Sequence, residues 1–212
     1  MSVAIVPETA DLAGLRDAAA KCRACELWEP ATQTVFGDGP ADARIVFVGE
    51  QPGDVEDRRG LPFVGPAGRL LDRALEEAGI DRGTTYVTNA VKHFRFEPRG
   101  KRRIHQTPGP EHVAACHPWL LAELQLTGPE LIVCLGATAA KAMLGSSFRI
   151  TRQRGQLIPY DPPLGEEDAA VKAGWIMATA HPSAVLRVPE ESREDAYNAL
   201  VADLKVAATA LA

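Results

Sequence analysis

The stretch RIVFVGEQPGDVED, residues 44–57, decides the fold of this 212-residue chain. Its first half is a short apolar run that ends at Gly49, which is typical of a strand buried on both faces of a sheet. Its second half is polar and rich in carboxylates, as expected of a loop that begins at a strand end. In open parallel sheets, ligands bind beyond the carboxyl ends of the strands. Further strands with polar residues at their ends would therefore mark a binding crevice.

Three more apolar runs resemble the first, and amphipathic segments separate them. Strands are predicted at TYVTN (85–89), LIVCLG (131–136) and WIMATAH (175–181). The segment GPAGRLLDRALEEAG (65–79) predicts a helix, because its leucines and alanines recur on one face between Pro66 and Gly79. Further helices are predicted within 112–126, 136–145 and 190–211, and a hairpin and loop within 148–168. This alternation predicts a three-layer α/β/α fold with a central, mainly parallel four-stranded sheet.

Composition and charge narrow the class of protein. Its 46% hydrophobic residues are enough for a core, and its length predicts a single domain over residues 1–212. The first residues lack the basic and apolar regions of a signal peptide, and no stretch reaches the ~18 apolar residues of a membrane span. A formal net charge of −5 gives no general attraction to nucleic acid or to anionic membranes. We expect a cytoplasmic, monomeric protein without a membrane partner.

One segment departs from this acidic background. Residues 92–103 hold six basic side chains against one acidic side chain. The loop GKRRIHQTPG (100–109) places His105 beside a run of basic residues. These are Lys101, Arg102 and Arg103. Such a charge run is most often solvated surface, and the alternative is a local patch for an anion such as DNA phosphate.

The chain has four cysteines, two of them in a C-x-x-C pair. They are Cys22, Cys25, Cys116 and Cys134. A reducing compartment disfavours structural disulfides. The pair lies in a polar segment where thiols have no packing role, whereas Cys134 lies in an apolar run and could be a core residue. Four thiolates suit tetrahedral zinc or a [4Fe–4S] cluster equally, so the spacing leaves both metals and a metal-free pair open.

Polar residues stand where three of the predicted strands end. Glu50 and Asp54 follow the first strand, Asn89 ends the second and His181 ends the fourth. Taken singly, each has a simpler explanation as a helix-entry acid, a turn cap or a core histidine. The carboxyl ends of parallel strands meet at one edge of a sheet, so we expect carboxylates, an amide and an imidazole in one crevice.

Four segments in order resemble the uracil-DNA glycosylase superfamily. They are GEQPGDVED (49–57), GLPFVGPAGRLL (60–71), TNAVKHFRF (88–96) and HPSA (181–184). The resemblance covers nearly the whole chain and is closest to the iron–sulfur family-four enzymes and their UdgX-type relatives, which become covalently linked to uracil-containing DNA. Two features favour this cross-linking branch. Gln51 stands where ordinary family-four enzymes have alanine, and the KRRIH loop (101–105) is the signature of that branch.

The resemblance implies how uracil is recognised. Uracil in DNA is flipped out of the stack before its glycosidic bond can be reached. The flipped base would lie against Phe63 in a pocket that Gln51 and Gly53 also line. Asn89 would donate to uracil O4 and accept from N3–H. Cytosine presents the opposite pattern of hydrogen-bond donor and acceptor at that edge and would be excluded. The resemblance therefore implies uracil-containing DNA as the substrate and partner.

The resemblance also implies the chemistry of excision and capture. His181 would donate a hydrogen bond to O2 of the leaving uracil anion, and Glu50 and Asp54 would favour the cationic sugar. His105 would then attack the sugar C1′ in place of water. The basic side chains of the loop would hold the phosphates that flank the lesion. These are Lys101, Arg102 and Arg103.

The same resemblance assigns the cysteines, and two other functions remain as alternatives. Cys22, Cys25, Cys116 and Cys134 would hold a structural [4Fe–4S] cluster, although Cys134, as a strand residue, has core packing as its alternative role. In the first alternative, the protein is an ordinary turnover family-four glycosylase that uses water, and His105 only contacts phosphate. In the second, it is not an enzyme but an iron–sulfur redox or electron-transfer protein.

Overall fold

The computed structural model describes residues 2–8, 11–160, 171 and 173–211. Within these residues, the central sheet has five strands and a separate hairpin has two. The sheet consists of β1 (Ile45–Gly49), β2 (Thr85–Asn89), β5 (Leu131–Leu135), β6 (Ile158–Pro159) and β7 (Trp175–Thr179), and the hairpin of β3 (Phe96–Arg99) and β4 (Arg102–His105). The sheet order is β2-β1-β5-β7-β6, with β6 antiparallel at the edge and the others parallel. The predicted α/β fold with a mainly parallel sheet is confirmed.

Helices cover both faces of the sheet. In the described residues they are α1 (Leu12–Ala19), α2 (Asp54–Arg59), α3 (Pro66–Ala78), α4 (Pro110–Thr127), α5 (Ala137–Leu144), α6 (Ile150–Gln153), α7 (Pro182–Arg187) and α8 (Glu190–Thr209). Along β1, Ile45 and Phe47 pack with α3 and α8, whereas Val46 and Val48 pack with α4 and α5. Because both faces of β1 are buried, its sequence is a continuous apolar run rather than an alternating one.

The fifth strand is the part of the sheet that the sequence did not predict. The segment before β7 was predicted as a hairpin and a loop, and the structure has the short helix α6 and the two-residue strand β6 there. Two residues are too few to show the alternation by which a strand is recognised. Residues 161–170 of the predicted loop lie outside the described residues. In the described part of the chain, no helix is both long and apolar enough to cross a bilayer.

A buried ion pair fixes the end of β2. The side chains of Lys92 and Glu123 are only 1% and 0% exposed, and the ammonium and carboxylate are in contact. The Lys92 ammonium also donates to the Thr88 hydroxyl and to the Asn89 carbonyl, each over 2.7 Å. Glu123 accepts a further hydrogen bond of 2.9 Å from the Tyr86 hydroxyl. The charged pair therefore holds the backbone at the strand end where Asn89 lies.

Candidate active site

Two adjoining cavities open at the carboxyl edge of the sheet. The smaller, of about 330 Å³, is lined by Asn89 and Phe63 among others, and the larger, of about 660 Å³, by Glu50. His105 and His181 line both cavities. The structure therefore brings together the residues expected at the strand ends, as well as the histidine of the basic segment.

The wall of the smaller cavity is packed so closely that only glycine fits at the end of β1. A Cβ added at Gly49 would lie 2.3 Å from Asn89 Oδ1 and 2.7 Å from Phe63 Cζ. Phe63 has a φ of 56°, which is rare for a large side chain and is maintained only by its surroundings. Asn89 is buried, and its side-chain amide makes no hydrogen bond within the described residues. Both the donor and the acceptor of this amide are therefore available to a ligand.

His181 is held as a neutral hydrogen-bond donor. Its Nδ1 accepts from the backbone N–H of Ser183 over 3.1 Å, which leaves the ring proton on Nε2. Burial lowers the pKa of His181 to about 4, and the nearby charges of Arg187 and His105 act in the same direction. The imidazole stacks on Phe63 with 6.1 Å between ring centroids. The sequence placed His181 at a strand end, whereas β7 ends at Thr179 and His181 caps α7.

His105 ends a β-hairpin, whereas the sequence predicted a loop bounded by glycine and proline. Phe96 pairs with His105 at the base, and the chain reverses through Gly100 and Lys101 at the tip. Gly100 has a φ of 59°, as the first residue of a two-residue hairpin turn requires. Lys101 and Arg102 are exposed near the tip. A hairpin fixes the direction of its last side chain more firmly than a solvated loop does.

Gln51 ties the two ends of this hairpin together. Its amide nitrogen donates to the carbonyls of Arg95 (3.2 Å) and Gln106 (3.1 Å), and its oxygen accepts from the Arg95 N–H over 3.1 Å. Gln51 and Gly53 both line the smaller cavity, but the Gln51 amide is already bonded to backbone. Alanine at this position could make none of these three bonds, so the glutamine anchors the segment that carries His105.

Arg103 does not have the phosphate-binding position that the sequence suggested. Its guanidinium contacts Asp54 (Nε–Oδ1, 2.5 Å) and the fully buried Asp57 (Nη1–Oδ2, 2.6 Å). It also lies over the rings of Phe94 and Phe96, at 5.4 and 4.9 Å from their centroids. The side chain is only 15% exposed. Arg103 therefore fastens the hairpin to α2, because two carboxylates and two rings occupy the group that would bind phosphate.

The two carboxylates expected near the sugar have different surroundings. Glu50 Oε1 lies 3.4 Å from His105 Nε2. Asp54 lines the smaller cavity, but its carboxylate is paired with Arg103 and with Arg58, over 3.1 Å to the Arg58 Nε. Burial lowers the pKa of His105, Glu50 opposes this shift, and the positive charge of Arg187 adds to it. Glu50 is thus the carboxylate that can act on His105.

Three of the four cysteines share one small pocket, and a histidine rather than the fourth cysteine completes it. Cys22, Cys25 and Cys116 line this pocket together with His93. Cys134 lies in β5, where it pairs with Val48 and Ala178 and packs in a separate core cluster. The structure therefore does not bring Cys134 to the other cysteines. The preference of a strand cysteine for core packing explains the difference.

The chemistry of this donor set fits an iron–sulfur cluster. Two cysteine sulfurs already accept hydrogen bonds of 3.3 Å, Cys22 from the Trp119 indole and Cys116 from the Lys92 backbone N–H. Hydrogen bonds to sulfur are among the interactions that tune such clusters. Within the described residues, no three His, Cys, Asp or Glu side chains stand close enough together to hold a single metal ion. The residues present are three thiols and one imidazole around one pocket.

Two residues that the structure places near these sites were not predicted from the sequence. His93 follows β2 by only four positions, and its place in TNAVKHFRF was the available signal. Arg187 lies three residues beyond the HPSA segment, is exposed and lines both cavities. Neither residue belongs to an apolar period or a familiar metal-binding spacing, so only their position beside a recognised motif pointed to them.

Comparison with known proteins agrees with the geometry. The model of the uracil DNA glycosylase superfamily matches residues 36–205. The Type-4 uracil-DNA glycosylase of Thermotoga maritima is 44% identical over 168 residues, which cover 79% of each chain. Those of Archaeoglobus fulgidus and Sulfurisphaera tokodaii are 37% and 34% identical, over 82% of this chain and 82% and 76% of their own. This chain, with its glycine-lined cavity between an amide, an aromatic ring and a neutral histidine, belongs to the uracil-DNA glycosylase superfamily.

Proposed function

We propose that this protein excises uracil from DNA and remains covalently joined through His105 to C1′ of the resulting sugar. The observation that carries the proposal is the position of His105. It ends an anchored hairpin, it lines both cavities, and it faces a carboxylate over 3.4 Å. A histidine that only contacted phosphate would need neither the carboxylate nor the shared wall of two cavities.

The smaller cavity supplies what uracil recognition requires. The unoccupied amide of Asn89 can donate to uracil O4 and accept from N3–H in one bidentate contact. Phe63 offers a ring face against which a flipped base can stack. Because Asn89 packs against Gly49 and its backbone is held by Lys92, the amide keeps its orientation. A cytosine in the same place would set its N4 amino group against the amide nitrogen of Asn89 and its N3 against the amide oxygen, so neither hydrogen bond could form.

His181 supports cleavage of the glycosidic bond. When the bond between C1′ and N1 breaks, its electron pair leaves with uracil, which becomes an anion. A neutral imidazole whose proton is on Nε2 can donate a hydrogen bond from this nitrogen to O2 of that anion. The low pKa of His181, about 4, keeps the ring in this neutral form at neutral pH. The carboxylate of Glu50 would favour the positive charge that develops on the sugar.

His105 then replaces the water of an ordinary glycosylase. A neutral ring keeps one lone pair, which forms the bond to C1′ while the other nitrogen carries the proton. Attack makes an imidazolium, which could leave again as neutral imidazole. Transfer of its remaining N–H proton to Glu50 leaves a neutral alkylated ring, which is a poor leaving group. The lowered pKa of His105 favours the neutral, nucleophilic ring before attack.

The anchoring of the hairpin supports capture over simple DNA contact. Gln51 binds the backbone on both sides of the hairpin, and Arg103 ties its second strand to Asp54 and Asp57. Such constraints reduce the entropy lost when a nucleophile is held at the reacting atom. Lys101 and Arg102 remain exposed near the tip and are the basic side chains that we propose contact DNA phosphates.

The second candidate function is excision with repeated turnover, in which water completes the reaction. The similarity to Type-4 uracil-DNA glycosylases favours it. The two candidates differ in one product. The protein is mixed with an excess of a uracil-containing single-stranded oligonucleotide and run on a denaturing gel. We expect a shifted protein–DNA band in which the amount of covalent adduct approaches one molecule per molecule of protein. Free abasic oligonucleotide in excess of protein, with no shifted band, would instead establish turnover.

We also propose that Cys22, Cys25, Cys116 and His93 hold a [4Fe–4S] cluster. Its role there would be structural, since it would join the N-terminal segment, the residues after β2 and helix α4. Two observations support this assignment: the four residues line one pocket, and two of the sulfurs accept N–H···S hydrogen bonds.

Replacement of the ligands should separate this set from the one the sequence suggested. Cys116→Ser should abolish most of the broad visible absorbance of the purified protein and lower its melting temperature, because ligation and folding are coupled. Cys134→Val should keep both, since Cys134 packs in another cluster. Iron and sulfide content measured beside the spectra checks the assignment. Loss of the visible absorbance in Cys134→Val, with an unchanged spectrum of Cys116→Ser, would show that Cys134 rather than Cys116 is a ligand.

A further inference from the structure

The carboxylate that faces His105 has a second partner on another element. One oxygen of Glu50, Oε1, lies 3.4 Å from His105 Nε2, and the other, Oε2, accepts a hydrogen bond from the Thr138 hydroxyl. The Glu50 side chain is only 21% exposed, so few water molecules compete with these two protein contacts. Thr138 is therefore the contact that decides which way the carboxylate points.

Thr138 is itself well fixed. It lies in the first turn of α5, directly after β5, and the N–H of Gly136 at the start of that turn donates to the Thr179 carbonyl of β7 over 2.8 Å. Thr151 and Ser183, which also carry hydroxyls, line the same cavity. Ser183 bonds to His181, and neither it nor Thr151 donates to Glu50 within the described residues. The bond to Thr138 is thus specific to one hydroxyl on a rigid element.

We propose that Thr138 is a positioning residue for the capture step, which holds Glu50 so that its free oxygen faces His105. This inference rests on the proposed function of His105. A carboxylate with one oxygen held by a hydroxyl keeps the other directed at the imidazole before and after C1′ is attacked. Without the hydroxyl, the side chain can rotate toward solvent or toward Arg187, which lines the same cavity. The proton of the alkylated ring would then have no nearby acceptor.

The test compares uracil release with adduct formation in single-turnover reactions on a uracil-containing oligonucleotide. Thr138→Val removes the hydroxyl at nearly constant volume and should slow adduct formation about tenfold relative to uracil release, the effect of one lost hydrogen bond. Thr138→Ser keeps the hydroxyl and should restore the wild-type ratio. Thr151→Val, from the wall of the same cavity, should leave the ratio unchanged. An unchanged ratio in Thr138→Val, or equal slowing of both steps, would overturn the proposal.

A double-mutant cycle keeps the result interpretable if Thr138→Val is also less stable. In a Glu50→Ala background, Thr138→Val should have no further effect on the ratio, because its only route to His105 is through Glu50. A further decrease in that background would show that Thr138 acts otherwise. Failure of the proposed function itself has a different signature: the unaltered protein would then release uracil and form no adduct at all.

Discussion

His105→Ser is expected to release uracil from DNA without forming a covalent product. The change removes the proposed nucleophile but leaves Phe63, Asn89 and His181, which line the smaller cavity and which we propose act before capture. The shorter side chain also opens space for water at C1′. We therefore expect release within about tenfold of the unaltered rate, now with repeated turnover. Uracil release and band shift, measured on the same samples, give both quantities.

His181→Ala is the matched comparison for this result. It removes the proposed donor to the leaving anion, so it should slow release and adduct formation together, by roughly 10²–10³-fold. Peptide mapping of the wild-type adduct should place the added sugar mass on His105. Mass on a different residue, or undiminished adduct formation by His105→Ser, would show that the hairpin histidine is not the nucleophile.

The sequence predicted four strands of the sheet and the polar residues near their carboxyl ends because both depend on local patterns. The strand before Glu50 is a continuous apolar run, and such a run ends where the backbone leaves the sheet. Asn89 and His181 were found because they stand directly at or beyond such runs. The parallel arrangement then required their ends to meet, so the pocket followed from topology without knowledge of any side-chain contact.

What the sequence could not predict depends on pairings between distant residues. The basic run 101–103 looks uniform, yet Arg103 is enclosed by two carboxylates of α2 while Arg102 is exposed. Alternation along a four-residue hairpin strand decides which side chain faces which way, and a charge count does not contain that information. The cysteines show the same limit. Cys134 matches a ligand set in number, but its position in a central strand directs it into the core.

Removing one partner of the buried Lys92–Glu123 pair is expected to lower the free energy of unfolding by about 3–5 kcal/mol. Both side chains are at most 1% exposed, so Lys92→Met leaves the carboxylate, and Glu123→Leu the ammonium, without its counter-charge. Total stability of a domain is typically about 5–15 kcal/mol, so either change removes a large part of it. Urea unfolding of the protein, followed by far-UV circular dichroism, measures the shift in midpoint.

The double variant Lys92→Met/Glu123→Leu should be more stable than the sum of the two single losses predicts. With both charges removed, no unpaired ion remains in the interior, and two apolar side chains of similar size fill the space. The exposed pair Arg44–Glu130 is the control, since its side chains are 58% and 53% exposed and Glu130→Gln should change little. Additive losses would mean that the two charges are not coupled. A coupled loss would instead show that the two charges stabilise the fold as a pair, at the end of β2 where Lys92 also donates to the Asn89 carbonyl.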